Sequence, residues 1–154
     1  FCLFMFSTHH LLLCNGNKLP YAHLLPASAG FLLIHLWKYW KEPLLIHFRL
    51  ATHGSIKRSN CHPFYDSETD THFMHNGILY GIRPYQDKTD SECAFECFLQ
   101  PTIKKYGLHS DELGMEVDNV IGYSKFAFMQ GKEVRLFGDF IFRDSLYFSN
   151  LRFL

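Results

Sequence analysis

Two short strand-like runs, Leu44–Phe48 and Thr71–Met74, each pass directly into a polar cluster, and this repeated arrangement constrains the chain more than any other feature. The first run enters Arg49-Leu50-Ala51-Thr52-His53-Gly54 and the second enters His75-Asn76-Gly77. A third cluster, Asn60-Cys61-His62-Pro63-Phe64, lies between them. Runs this brief, bounded by turn-forming residues, are too short for helices and read as strands. Polar groups gathered at strand-to-loop junctions point to one site.

The rest of the chain supports a layered fold. Leu3–Phe6 reads as a buried strand ended by Ser7-Thr8-His9, which puts Cys2 at a strand mouth. Asn15-Gly16 signals a turn, and Pro20 predicts a short helix through Leu24 and Leu25 that Pro26 stops. His35–Glu42 carries Leu36, Trp37 and Trp40 at helical spacing before Pro43. Thr89 and Glu92 form a capping box, opening a helix whose buried stripe is Phe95, Phe98, Leu99 and Thr102, to about Lys105. Beyond it, Phe126–Met129, Val134–Phe137 and Leu146–Phe148 read as strands, separated by Gln130-Gly131 and Arg143-Asp144-Ser145. Strand-rich ends with helices between them predict an α+β fold rather than regular strand-helix alternation. Neither a G-x-G-x-x-G nor a P-loop pattern is present, so phosphate cradling has no sequence support.

Composition narrows the partners. The 154 residues fit one domain, taken as 1–154. Fifteen basic residues balance fifteen acidic ones, which leaves no electrostatic footprint for nucleic acid. The apolar runs at Leu11–Leu13 and Phe31–Leu36 fall short of the ~20 residues needed to span a bilayer, and the opening segment lacks the basic flank and cleavage site of a signal peptide. No membrane association is expected. Five cysteines without a Cys-x-x-Cys pair argue against a disulfide framework or a zinc ribbon and predict a reducing, cytoplasmic setting. Of the histidines, His9-His10 and His72-x-x-His75 are the nearest pairs, yet strand residues three apart face opposite sides. No metal or cofactor is expected. The sixteen phenylalanines are expected to fill a core or a sheet-to-helix interface.

Taken together, Arg49-Leu50-Ala51-Thr52-His53-Gly54, Asn60-Cys61-His62-Pro63, His75-Asn76-Gly77 and Thr89-Asp90-Ser91-Glu92 resemble, in order and spacing, the class II glutamine amidotransferases. This is the N-terminal-nucleophile glutaminase domain found in glucosamine-6-phosphate synthase and, in compact form, in small bacteriophage and bacterial proteins. The resemblance is clear from about Leu44 to Glu96 and thinner over Cys2–Phe6, Lys18–Phe31 and Gly122–Asn150. It implies a shortened N-terminal-nucleophile hydrolase fold, a four-layer αββα sandwich of antiparallel sheets. It also implies that Cys2 attacks the glutamine amide, with its own α-amino group as base, to give a glutamyl thioester and ammonia.

The residues fit that chemistry. Free glutamine presents a carboxylate, an ammonium and a side-chain amide, each needing a different partner. Arg49 offers a planar fork for the carboxylate, with the Thr52 hydroxyl and the backbone around His53 adding hydrogen bonds. Asp90 suits the ammonium, or serves only as a helix-start residue. An unperturbed thiol near about 8.5 and an α-amine near about 7.7 to 8.0 exchange a proton with little bias. Asn76-Gly77 is either a hairpin turn or the donor pair that holds the oxyanion, through the Asn76 amide and the Gly77 N–H. Cys93 and Cys97 read as small core residues, Cys14 has no activating sequence neighbour, and Cys61 is expected to brace the loop beneath the site.

Two features depart from the family pattern. Phe1 precedes Cys2 and, while attached, makes the Cys2 nitrogen an amide rather than a base. The segment from Ala27-Ser28-Ala29-Gly30-Phe31 to Arg49 is shorter than the family's Asp-containing, Gly-rich connection. They motivate two alternatives: a catalytically silent glutamine-binding or interaction protein, and an N-terminal-nucleophile amidase for another amide. With no synthase domain after Leu154, ammonia is expected to reach a separate acceptor subunit or escape.

Overall fold

The computed structural model describes the backbone of residues 2–5, 10–15, 18–23, 43–49 and 62–151, and the side chains of residues 43–47 and 62–151. The first elements in chain order are β1 (Cys2–Met5), β2 (His10–Asn15), β3 (Lys18–His23), β4 (Leu44–Arg49), β5 (Phe64–Asp66) and β6 (Thr71–Asn76). Next come α1 (Asp90–Ala94), a π-helical turn over Phe95–Leu99, α2 (Gln100–Tyr106) and α3 (Asp111–Val120). The chain closes with β7 (Lys125–Gln130), β8 (Glu133–Phe137), β9 (Ile141–Arg143) and β10 (Leu146–Phe148).

Among the described residues the strands form two sheets, ordered β3-β2-β4-β1-β10-β9 and β5-β6-β7-β8. The second sheet is antiparallel throughout. The first is mixed, a departure from the expected pair of antiparallel sheets, because β1 runs parallel to both neighbours, β4 and β10. Parallel partners need a long crossover, and residues 6–43 and almost the whole chain supply the two connections. Pro20 lies in β3 rather than opening a helix. That strand is the sheet's edge, and its pairing with β2 is irregular between Leu13 and Asn15, so a missing N–H is tolerated there.

The second sheet is covered on both faces. Phe73, Phe126 and Phe128 meet Phe95, Leu99, Ile103, Leu113 and Val117 from the helices. From the opposite face, Met74, Ala127 and Met129 pack with Leu45 of the first sheet, joined by Tyr147. Double coverage explains why β6 and β7 lack the polar alternation of a half-exposed sheet. Phe73 stacks on Phe95 at 5.2 Å and on Phe128 at 4.9 Å, and meets Phe126 edge-on at 5.1 Å, so phenylalanines do fill the sheet-to-helix interface. The observed order of layers is helices, second sheet, first sheet. The helix expected at 35–42 lies outside the described residues.

The capping expectation holds at α1, where Thr89 Oγ1 accepts from the Glu92 amide at 3.1 Å. The predicted stripe fails at Phe98, which is 42% exposed while Phe95 and Leu99 are buried. Its cause is the π turn, in which the Gln100 amide bonds to Phe95 O, five residues back. Pro101 follows directly, without an N–H and with a ring that cannot fit against the carbonyl four residues earlier. The sheet and helices are also tied by Asp66, which accepts from Thr69 Oγ1 at 2.6 Å and Gln100 Nε2 at 2.7 Å. Burial raises the Asp66 pKa, but the Thr69, Gln100 and Glu68 hydrogen bonds and the charge of Lys104 outweigh it and hold the carboxyl below its usual range. No helix among the described residues is long and apolar enough to cross a membrane.

Candidate functional site

The corner after β6 is built around a residue that must be glycine. Gly77 has a φ of +141°, and a Cβ there would lie 2.2 Å from Ser124 Oγ and 2.9 Å from Ser124 Cα. Ser124 Oγ in turn donates to Ile78 O at 3.3 Å, pinning the far side of the corner. This is no hairpin turn. Asn76 pairs with Lys125 at the start of β7, and the helices lie between the two strands in sequence.

Asp90, the first residue of α1, is bound to the same corner. Its Oδ2 accepts from the Leu79 amide at 2.8 Å, and its Oδ1 accepts from the Ser91 amide at 2.9 Å and the Ser91 hydroxyl at 3.3 Å. Asp90 therefore does more than begin a helix. Ser91 Oγ lies 2.6 Å from His75 Nδ1, which closes a path from β6 through α1 back to the loop that follows Gly77.

His75 lies at one end of a buried histidine group whose middle member is His62. His62 lies 4.6 Å from His47 and 6.2 Å from His75 between ring centroids, so the group reaches from β4 to β6. Burial pushes the His75 pKa down from 6.5 to about 4, against the opposing pull of the Asp90 charge. A histidine with a lowered folded-state pKa stabilises the fold fully above its unfolded pKa and loses that contribution as pH falls. The loss should run from about pH 6.5 to about 4 and reach about 3 kcal/mol. Urea unfolding at pH 7 and at pH 4.5 should show His75→Asn losing less stability than the parent protein across that interval. Equal losses would contradict this assignment.

Cys2 opens β1, with its backbone beside Leu44 of β4 and Leu146 of β10. Arg49 closes β4 opposite His10. Because β1 and β4 run in the same direction, Cys2 and Arg49 stand at opposite ends of β4, about 17 Å apart along the strand. The structure thus brings Asn76, Gly77 and Asp90 together and leaves Cys2 and Arg49 separated along the first sheet. The side chains of Cys2 and Arg49, and the whole of Thr52, His53, Asn60 and Cys61, lie outside the described residues.

The model of the glutamine amidotransferases class-II family matches residues 27–132, a span that contains Arg49, Thr52, His53, Asn76, Gly77 and Asp90. The chain belongs to the class II glutamine amidotransferases. It is also 34% identical over 91 residues to a protein of Saccharomyces cerevisiae named probable glutamine amidotransferase DUG3. That alignment takes in 48% of this chain and only 24% of the yeast protein, so the chain spans about a quarter of that relative. Cys2 precedes the family match.

Within this class II domain, sequence reasoning missed Ser91, Ser124 and the histidine group. Ser91 stands inside the quoted Thr89-Asp90-Ser91-Glu92 motif, but its task depends on how α1 docks against β6. Cys93 is buried as expected, whereas Cys97 is exposed, with its sulfur 3.8 Å from the Tyr85 hydroxyl. The π turn again accounts for the difference, since it rotates Cys97 off the packed face. Among the described residues, no group of three or more His, Cys, Asp or Glu side chains is arranged to hold a metal ion.

Proposed function

We propose that the protein hydrolyses the side-chain amide of L-glutamine, the glutaminase half of an amidotransfer reaction. One observation carries this reading: the Asn76-Gly77 corner and the Asp90 carboxylate are bound into one unit through Leu79 and Ser91. The Cys2 thiolate adds to the amide carbon, and the Asn76 amide with the Gly77 N–H stabilises the oxyanion that forms. The thiol proton passes to the Cys2 α-amine, a base only when Cys2 is the first residue, and then to the departing nitrogen. Loss of ammonia leaves a glutamyl thioester, and water hydrolyses it to glutamate and restores the thiol.

Arg49, Thr52 and His53 take the substrate carboxylate and Asp90 takes its ammonium. The separation of the Cys2 and Arg49 backbones along β4 calls for a glutamine bound in an extended form. The reaction needs a free thiol, which fits a reducing cytoplasm. A separate ammonia-accepting synthase subunit is the partner this chemistry would serve. The proposed domain is the whole span 1–154, as a shortened four-layer N-terminal-nucleophile sandwich.

Asp90→Asn tests the ammonium assignment, because it removes the charge at nearly unchanged size, keeping an acceptor oxygen for either the Leu79 amide or the Ser91 donors but not for both. A lost charged hydrogen bond of about 1.5 to 3 kcal/mol should raise KM for glutamine about 10- to 100-fold with a smaller change in kcat. Unchanged KM would favour the reading as an amidase for another amide.

A further inference from the structure

The reaction outlined above gives no task to His75 or Ser91, although both side chains are buried, at 3% and 4% exposure. Their hydrogen bonds have a direction that can be worked out. Nε2 of His75 is buried with no partner among the described residues. A bare acceptor in that position costs less than a stranded N–H, which favours the tautomer protonated at Nδ1. The Nδ1–H then donates to Ser91 Oγ over 2.6 Å, and the Ser91 hydroxyl is left to donate to Asp90 Oδ1 over 3.3 Å.

Counting acceptor positions on Asp90 follows from this. An ionised carboxylate offers about four lone-pair sites. Oδ1 uses two, for the Ser91 amide and hydroxyl, and Oδ2 uses one, for the Leu79 amide. One site on Oδ2 remains for a ligand, and its direction is set by the three bonds that fix the carboxylate plane.

We infer that Ser91, backed by His75, is a positioning residue that orients the Asp90 carboxylate for the substrate α-ammonium and so makes the site selective for α-amino acid amides. This inference rests on the glutamine reading above. A hydroxyl that merely stabilised the fold would affect every substrate alike, whereas one that orients Asp90 affects only substrates carrying the ammonium.

The test compares glutamine with 4-carbamoylbutyrate, the same amide without its α-amino group. Ser91→Ala should lower the ratio of kcat/KM for glutamine to that for 4-carbamoylbutyrate about tenfold, through KM for glutamine. The value for the deamino amide itself should stay within about twofold. Ser91→Thr, which keeps the hydroxyl, should restore the ratio. Ser91→Cys, with a weaker donor of similar size, should fall between and serves where the alanine variant does not fold. An unchanged ratio in the alanine or cysteine variant, or an equal loss on both amides, overturns the proposal while leaving the glutaminase reading in place. An unaltered protein beginning at Cys2 that turns over neither amide overturns both.

Discussion

Gly77→Ala is expected to abolish glutamine turnover. Two obstacles act together: an alanine at φ +141° is strained, and its Cβ would fall 2.2 Å from Ser124 Oγ. The corner must move, and with it the Gly77 N–H and the Asn76 amide. Loss of one oxyanion donor costs about 3 to 4 kcal/mol of barrier, or 10²- to 10³-fold in kcat, and here both donors are displaced. Removing the serine hydroxyl should not rescue the variant, because Ser124 Cα also lies 2.9 Å from the added carbon. Ammonia release by Gly77→Ala and by Gly77→Ala with Ser124→Ala would check this, alongside urea unfolding to separate lost chemistry from lost fold. Turnover within tenfold of the parent in either variant would show that the corner does not hold the oxyanion.

Cys2→Ala should reduce glutamine hydrolysis to background while glutamine still binds. The side chain removed is the proposed nucleophile, whereas Arg49, Thr52, His53 and Asp90 would continue to hold the substrate. Calorimetry should therefore find a Kd within a few-fold of the parent protein's, next to a rate lowered at least 10³-fold in a coupled ammonia assay. Intact mass belongs in the same experiment. Protein beginning at Cys2 should be active and protein retaining Phe1 inactive, since a peptide nitrogen cannot act as the base. Full activity with Phe1 in place would require another proton acceptor.

What could be read in the sequence follows from which signals are local. The strands at β4, β6, β7, β8 and β10 were legible because short apolar runs end in turn residues, and the Thr89 cap because its chemistry lies within four residues. At Pro20 the residue fits either the first turn of a helix or an edge strand, and only the sheet order decides between them. β5 is three residues long and α3 buries only Leu113 and Val117, so neither has enough pattern to announce itself. At the site, Asn76, Gly77 and Asp90 were found through their motifs. Ser91 and His75 were not, because their contact joins residues sixteen apart through the phase of a strand and the start of a helix.

The central claim is that the residue at position 2 attacks the amide carbon of a glutamine held by this corner. Treating the active protein with a diazoketone analogue of glutamine, then digesting and mapping the modified peptide by mass spectrometry, tests it most directly. The account predicts one label per chain, on the Cys2 sulfur, blocked by excess glutamine and lost in Cys2→Ala. A glutamine-protected label on Cys61 or Cys93, with activity lost in step, would contradict it.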